Sequence, residues 1–283
     1  MLHHRSRPPW VFGAVALIAV CLPALGFAVL GKGRDLAASR TFGPTTDAYL
    51  GGRLPREAPV LSGGWKAVPA FPNLKFQDPT NLVPEPGGRR LCVTGRQGLI
   101  EAFENDPNTS TKTTVLDLRA RCQGWDDCGL MGLAFHPEFA KPGSPNRGYL
   151  YVFYNYTDSP HRGPGRPETR MVTSNRLSRF TVPDGSDVAD PASETVLIDQ
   201  LDRCVWHNGG GMFFHPADGF LYLSLGDEGA DYTQCQRINH ALFGGVIRID
   251  VDRRGGGISH PIINHPRDGI STGYYIPNDN PWV

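Results

Sequence analysis

The sequence predicts an all-β protein, a β-propeller of which about three blades are present. Three observations predict it. The 283 residues include 34 glycines and 25 prolines, and that much punctuation breaks up helices and favours strands and turns. Short apolar or alternating runs recur with turn residues between them, and no amphipathic helical period stands out. The tripeptide Phe-His-Pro occurs twice, at Phe135-His136-Pro137 and Phe214-His215-Pro216, 79 residues apart. Repetition on that scale is the mark of stacked units that hide their faces only against neighbours.

In chain order, residues 1–34 read as a targeting segment. Arg5 and Arg7 precede an uncharged run over 11–30, and Lys32 and Arg34 follow it. Two readings stand. Ala24-Leu25-Gly26 offers a small-x-small cleavage site, as in a signal peptide. The run is also long enough to remain as a membrane anchor. Both place the rest of the chain outside the cytoplasm, in the periplasm or secreted. Residues 35–70 read as a linker and lead-in, and 71–283 as the propeller segment.

The first unit comprises TNLVPEP (80–86), RLCVTGR (90–96), GLIEAFE (98–104) and TTVLDL (113–118). The second comprises GLAFHPEF (132–139), GYLYVFYNY (148–156), RLSRFTV (176–182) and ETVLIDQ (194–200). The third comprises GGMFFHPADG (210–219), FLYLSLGDEG (220–229) and GGVIRIDV (244–251). Closed propellers need about four to eight blades, so the expectation is that further blades come from a longer reading frame or a partner chain. Residues 274–280 read as turn-rich, with no assigned role.

Lys+Arg and Asp+Glu are both 28, for a net charge of +0. A nucleic-acid binder usually carries a basic footprint, so that class is set aside. Outside the cytoplasm disulfides persist. Cys122 with Cys128, and Cys204 with Cys235, are the candidate pairs, while Cys92 reads as a buried thiol. No cysteine spacing matches a zinc site, and no metal ligand is assigned. Asn108-Thr109-Ser110 and Asn155-Tyr156-Thr157 match the glycosylation sequon.

The densest polar stretch is WHNGGG (206–211) leading to GDEG (226–229). His207 opens one strand and Asp227 ends its hairpin partner, so the chain returns the carboxylate toward the imidazole. A histidine fixed by a carboxylate is the usual form of a general base; the competing reading is a pair of turn hydrogen bonds. Asp126-Asp127 lies at the equivalent place one blade earlier, facing either a central cavity or solvent. His136 and His215 repeat between blades and read as structural.

The runs CGLMGLAFHPEF with NRGYLYVFYNY, HNGGGMFFHPADGFLYLSLGDEG, LFGGVIRIDVD and YYIPNDNPWV, in that order over about 127–282, resemble the signature segments of the soluble quinoprotein glucose/sorbosone dehydrogenases. The resemblance implies a six-bladed propeller that binds pyrroloquinoline quinone (PQQ) and calcium and oxidises an aldose or similar alcohol. It implies that His207 is the base for the anomeric hydroxyl as hydride passes to the quinone, with Asp227 orienting it. Asp127 stands where soluble glucose enzymes carry a Gln near substrate. Trp206 stands where some carry an Asp. Both are therefore substrate-binding candidates that would alter sugar recognition. No cofactor-binding residue is assigned within these 283 residues, since the family's calcium ligands and cofactor-clamping residues lie beyond the DNP turn. The alternative reading is a non-enzymatic extracellular propeller that binds a protein or carbohydrate partner, since proteins without the enzyme activity share this propeller.

Overall fold

The computed structural model describes Gly64 and residues 66–158, 173–229 and 241–281. The leader, most of the lead-in and Cys235 lie outside the described residues. Among the described residues there is no helix, and every paired strand is antiparallel.

Three sheets follow one another as the repeats require. Blade 1 is a four-stranded meander of β1 (Pro79–Pro84), β2 (Arg90–Gly95), β3 (Leu99–Glu104) and β4 (Thr113–Asp117). Blade 2 runs through β5 (Leu130–Phe135), β6 (Tyr149–Tyr156), β7 (Thr173–Thr181) and β8 (Asp190–Asp202). Blade 3 is β9 (Gly209–Phe214), β10 (Leu221–Leu225) and β11 (Gly245–Ile249). The strands sit on the apolar runs read from the sequence. Three short strands went unread: β12 (Ser259–Pro261), β13 (Gly269–Ser271) and β14 (Tyr275–Pro277). β12 pairs with β14, and β13 adds a fifth strand to blade 2 alongside β8. At three residues each, they are too short to show an alternating pattern. Residues 274–280 thus have a structural role. Tyr274 is buried, and Asp279 and Asn280 both accept from Arg248 of β11, at 2.6 and 3.1 Å.

Blade 2 explains why the inner strands read as nearly continuous apolar runs. Side chains alternate across a strand, and here both faces are covered. Leu133, Phe135, Leu150, Val152 and Tyr154 pack toward blade 1. Ala134, Tyr151 and Phe153 pack toward blade 3, on Met212, Leu221, Leu223 and Leu225. Each fully buried side chain of this size contributes about 1.5–3 kcal/mol. The inner strands of blades 2 and 3 approach so closely that side chains are excluded. A Cβ on Gly132 would fall 2.6 Å from the Gly210 carbonyl oxygen, and one on Gly210 would fall 2.4 Å from Met131 Cβ. Glycine at these positions is a requirement of blade packing.

The Phe-His-Pro turns lie at one end of the blades. His136 is buried; its Nδ1 accepts from the Glu138 N–H at 3.0 Å, and its Nε2 lies 3.1 Å from Asp252 on the turn after β11. Asn146 donates to the same Asp252 oxygen at 3.1 Å. His215 makes the matching turn contact, accepting from the Ala217 N–H at 3.2 Å, and stays half-exposed. The opposite end of blades 2 and 3 carries the polar loops at 123–129, 202–208 and 226–229.

Candidate functional site

His207 and Asp227 meet at that loop end. Their separation is 2.7 Å, Nδ1 to Oδ1. The meeting follows from the hairpin: β9 begins two residues after His207, and β10 ends two residues before Asp227. Leu225 pairs with Gly209, which brings the two ends side by side. His207 has φ +58° and Gly209 has φ +84°, so the chain turns sharply here before it becomes a strand. Histidine is among the non-glycine residues that accept this left-handed region.

The hydrogen bond from His207, with a further one from the Gly229 N–H at 3.1 Å, holds the Asp227 carboxyl below the usual carboxylate range. An ionised carboxylate only accepts hydrogen bonds. Nδ1 therefore carries the proton, and in the neutral ring Nε2 is the acceptor. The imidazole side chain is 48% exposed, so a ligand hydroxyl can reach it. The arrangement can take a proton from that hydroxyl, or simply bind it.

The other two sequence candidates are here as well, each already engaged with the neighbouring loop. Asp127 is exposed, and its Oδ2 accepts from the His207 backbone N–H at 3.4 Å. Trp206 is 41% exposed. Its indole N–H donates to Asp126 Oδ2 at 2.8 Å. The Asp126-Asp127 turn of blade 2 is thus joined twice to the Trp206-His207 turn of blade 3. Arg96 of the β2–β3 turn ties the same Asp126 turn to blade 1, donating to the Asp126 carbonyl at 2.9 Å. The structure brings all four candidates together.

Beneath the loops lies a buried amide network that sequence reasoning missed. Asn155, Asn175, Asp202 and Asn208 are all at most 1% exposed. Asn155 Nδ2 donates to Asn175 Oδ1 and to Asn208 Oδ1, both at 2.6 Å. Asn175 Nδ2 donates to Asp202 Oδ2 at 2.9 Å, and the other oxygen of Asp202 accepts from the Cys204 N–H at 2.9 Å. The signal was an asparagine within each of two neighbouring strands, YNY on the apolar β6 and SNR on the alternating β7. Asn155 also belongs to a sequon, and its burial removes it from the surface; Asn108 is exposed.

The disulfide expectation is corrected. Cys92, Cys122, Cys128 and Cys204 are buried thiols, and no Cys122–Cys128 bond forms. Cys122 Sγ faces the Arg96 carbonyl at 3.6 Å, while Cys128 Sγ faces the Val205 carbonyl at 3.7 Å and accepts from Asn208 at 3.8 Å. The Cys204–Cys235 pairing falls on Cys235, which lies outside the described residues.

Among the described residues no three His, Cys, Asp or Glu side chains converge in a group that could hold a metal ion. One oxygen each of Asp126, Asp127 and Asp227 accepts from an indole, a backbone and an imidazole donor respectively. No residue here is assigned to PQQ or to calcium.

The family model for glucose/sorbosone dehydrogenase matches residues 76–266. The chain is similar to the Hedgehog-interacting proteins of Mus musculus and Homo sapiens, each 28% identical over 202 residues, covering 69% of this chain and 25% of the relative. It is also similar to the HIPL1 protein of Arabidopsis thaliana, 25% identical over 239 residues, covering 71% of this chain and 32% of the relative. The chain therefore spans about a quarter to a third of the length of these relatives. With about two thirds of its residues matched by one model, on the three-bladed segment that the repeats define, the chain belongs to the glucose/sorbosone dehydrogenase family.

Proposed function

We propose that this domain binds a hydroxyl-bearing ligand, a carbohydrate or a protein surface, at the loop end centred on His207, and that it does so outside the cytoplasm. One observation carries the reading. The 2.7 Å contact with Asp227 fixes the imidazole with Nδ1 as donor and leaves Nε2 open as an acceptor. Trp206 presents an exposed apolar ring beside it, and Asp126 and Asp127 line the approach. Aromatic rings and a few fixed polar groups are what ligand sites use. Family relatives named for interaction with Hedgehog support an output of binding.

A second reading rests on the same dyad. A neutral imidazole oriented by a carboxylate is the form that takes a proton from a substrate hydroxyl, help worth about 10²–10⁴ in rate. In that reading the domain serves in PQQ-dependent oxidation of a sugar or alcohol. His207 receives the hydroxyl proton at Nε2, Asp227 stabilises the charged ring, and Trp206 and Asp127 shape recognition. PQQ would supply the electron acceptor.

Titration calorimetry with D-glucose and methyl β-D-glucopyranoside tests the binding site, alongside dye reduction with PQQ and calcium added, on wild type and His207→Ala. Binding lost in H207A with no dye reduction supports the binding output. Dye reduction lost in H207A supports the oxidising one. Binding and turnover that H207A leaves unchanged overturn the site itself.

A further inference from the structure

We infer that Asn155, buried in blade 2, is a positioning residue that sets the orientation and tautomer of His207 in blade 3. The inference rests on His207 being the working group, and it deepens that reading.

The geometry makes Asn155 a hub with every polar atom engaged. Its backbone N–H donates to the Gly129 carbonyl at 3.0 Å, and its carbonyl accepts from the Gln123 N–H at 2.8 Å. Its side-chain oxygen accepts from the Gly129 N–H at 2.8 Å. These three bonds fix the ends of the loop that carries Asp126 and Asp127. Its side-chain nitrogen has two protons, and they go to Asn175 and Asn208 at 2.6 Å each. Asn208 directly follows His207. Its own Nδ2 donates to the Val205 carbonyl at 3.3 Å, closing the turn that carries Trp206 and His207. One amide thus holds both loops of the site, reaching each across a seam between blades or strands.

A side-chain amide can secure a turn by bonding to nearby backbone groups. This one couples two, and the second contains a residue at φ +58° whose ring must point at Asp227. A buried network with all members satisfied is rigid, and one lost member leaves its partners unpaired in a dry interior. Asparagine is specifically required. An aspartate would keep the acceptor for Gly129 but would set a carboxylate oxygen against the Asn175 and Asn208 oxygens, which need a donor.

The test is the ¹⁵N imidazole spectrum of the full chain, with the His207 signals assigned by their loss in H207A. In wild type the neutral His207 ring is held as the Nδ1–H tautomer by Asp227. Asn208→Ala removes the arm that ends beside His207 together with the Asn208 contacts to Val205 and Cys128, and Asn155→Asp disrupts the hub while leaving the Asn208 side chain in place. With His207 released from Asp227, the ring moves toward the Nε2–H tautomer that an unconstrained neutral histidine side chain favours. We expect a change of tautomer in both variants, with the His136 signals unmoved. His136 lies at the far end of the blades, and it reports whether the fold survives. If N155D fails to fold, N208A alone decides. A folded N208A that keeps the wild-type His207 tautomer overturns the inference. That result leaves the ligand site standing, because the site is judged separately by the loss of sugar binding in H207A.

Discussion

Gly226 lies against the carbonyl of His207: a Cβ built on Gly226 would fall 1.4 Å from that oxygen. No rotamer relieves such an overlap, because the obstacle is backbone. The turn that delivers Asp227 can nest on the turn that delivers His207 only if this residue has no side chain. Gly226→Ala is therefore expected to push the two turns apart. The expected cost is about 3 kcal/mol of stability, the upper range of an overpacked interior, together with loss of ligand binding at His207. Urea denaturation and calorimetry on the same variant check both halves.

The seam between blades 2 and 3 is expected to weaken in acid. The hydrogen bond from buried His136, with the nearby Arg254 and Asn146, holds the Asp252 carboxyl below the ordinary carboxylate range. A carboxyl lowered on folding contributes stability that is fully present above its unfolded pKa. That contribution is lost as pH falls through the lowered folded value. Asp252→Ala should cost about 1–3 kcal/mol at neutral pH, since it leaves the His136 N–H unpaired in the interior. The difference from wild type should shrink at pH values below the usual carboxylate range. Denaturation curves for both proteins between pH 7 and pH 3 measure it.

The thiols are expected to be inert. Burial, with Glu85 nearby, pushes the Cys92 thiol up to about 12. Burial, with Asp202 nearby, pushes the Cys128 thiol well above its ordinary value. Reaction requires the thiolate and access to it. Ellman's reagent should therefore label Cys92, Cys122 and Cys128 only as fast as the protein unfolds. Reductant should leave the unfolding midpoint attributable to these three residues unchanged. Rapid labelling of the native protein would contradict their burial.

Much of the architecture was legible because propeller strands buried on both faces announce themselves. YLYVFYNY reads as a strand, and its two faces do pack on different blades. The dyad was legible for a topological reason: a hairpin returns its second end beside its first, and Asp227 accordingly meets His207. The short strands β12 to β14 were not legible, because a three-residue strand depends on its partner more than on its own pattern. The Cys122–Cys128 bridge was misread because sequence proximity was taken for spatial pairing, whereas the two sulfurs face carbonyls of different loops. The Asn155 hub was hidden by its local context. Within a strand a lone asparagine looks like an interruption, and its meaning depends on two loops that only the fold brings to it.

The most direct test of the account is titration of methyl β-D-glucopyranoside into wild type, H207A and Asp227→Asn by calorimetry. Binding is expected in wild type, loss of it in H207A, and weakening in D227N, where the ring loses the ionised partner that fixes its tautomer. Equal affinity in all three proteins would contradict it, and would place the ligand somewhere other than the His207 end of the blades.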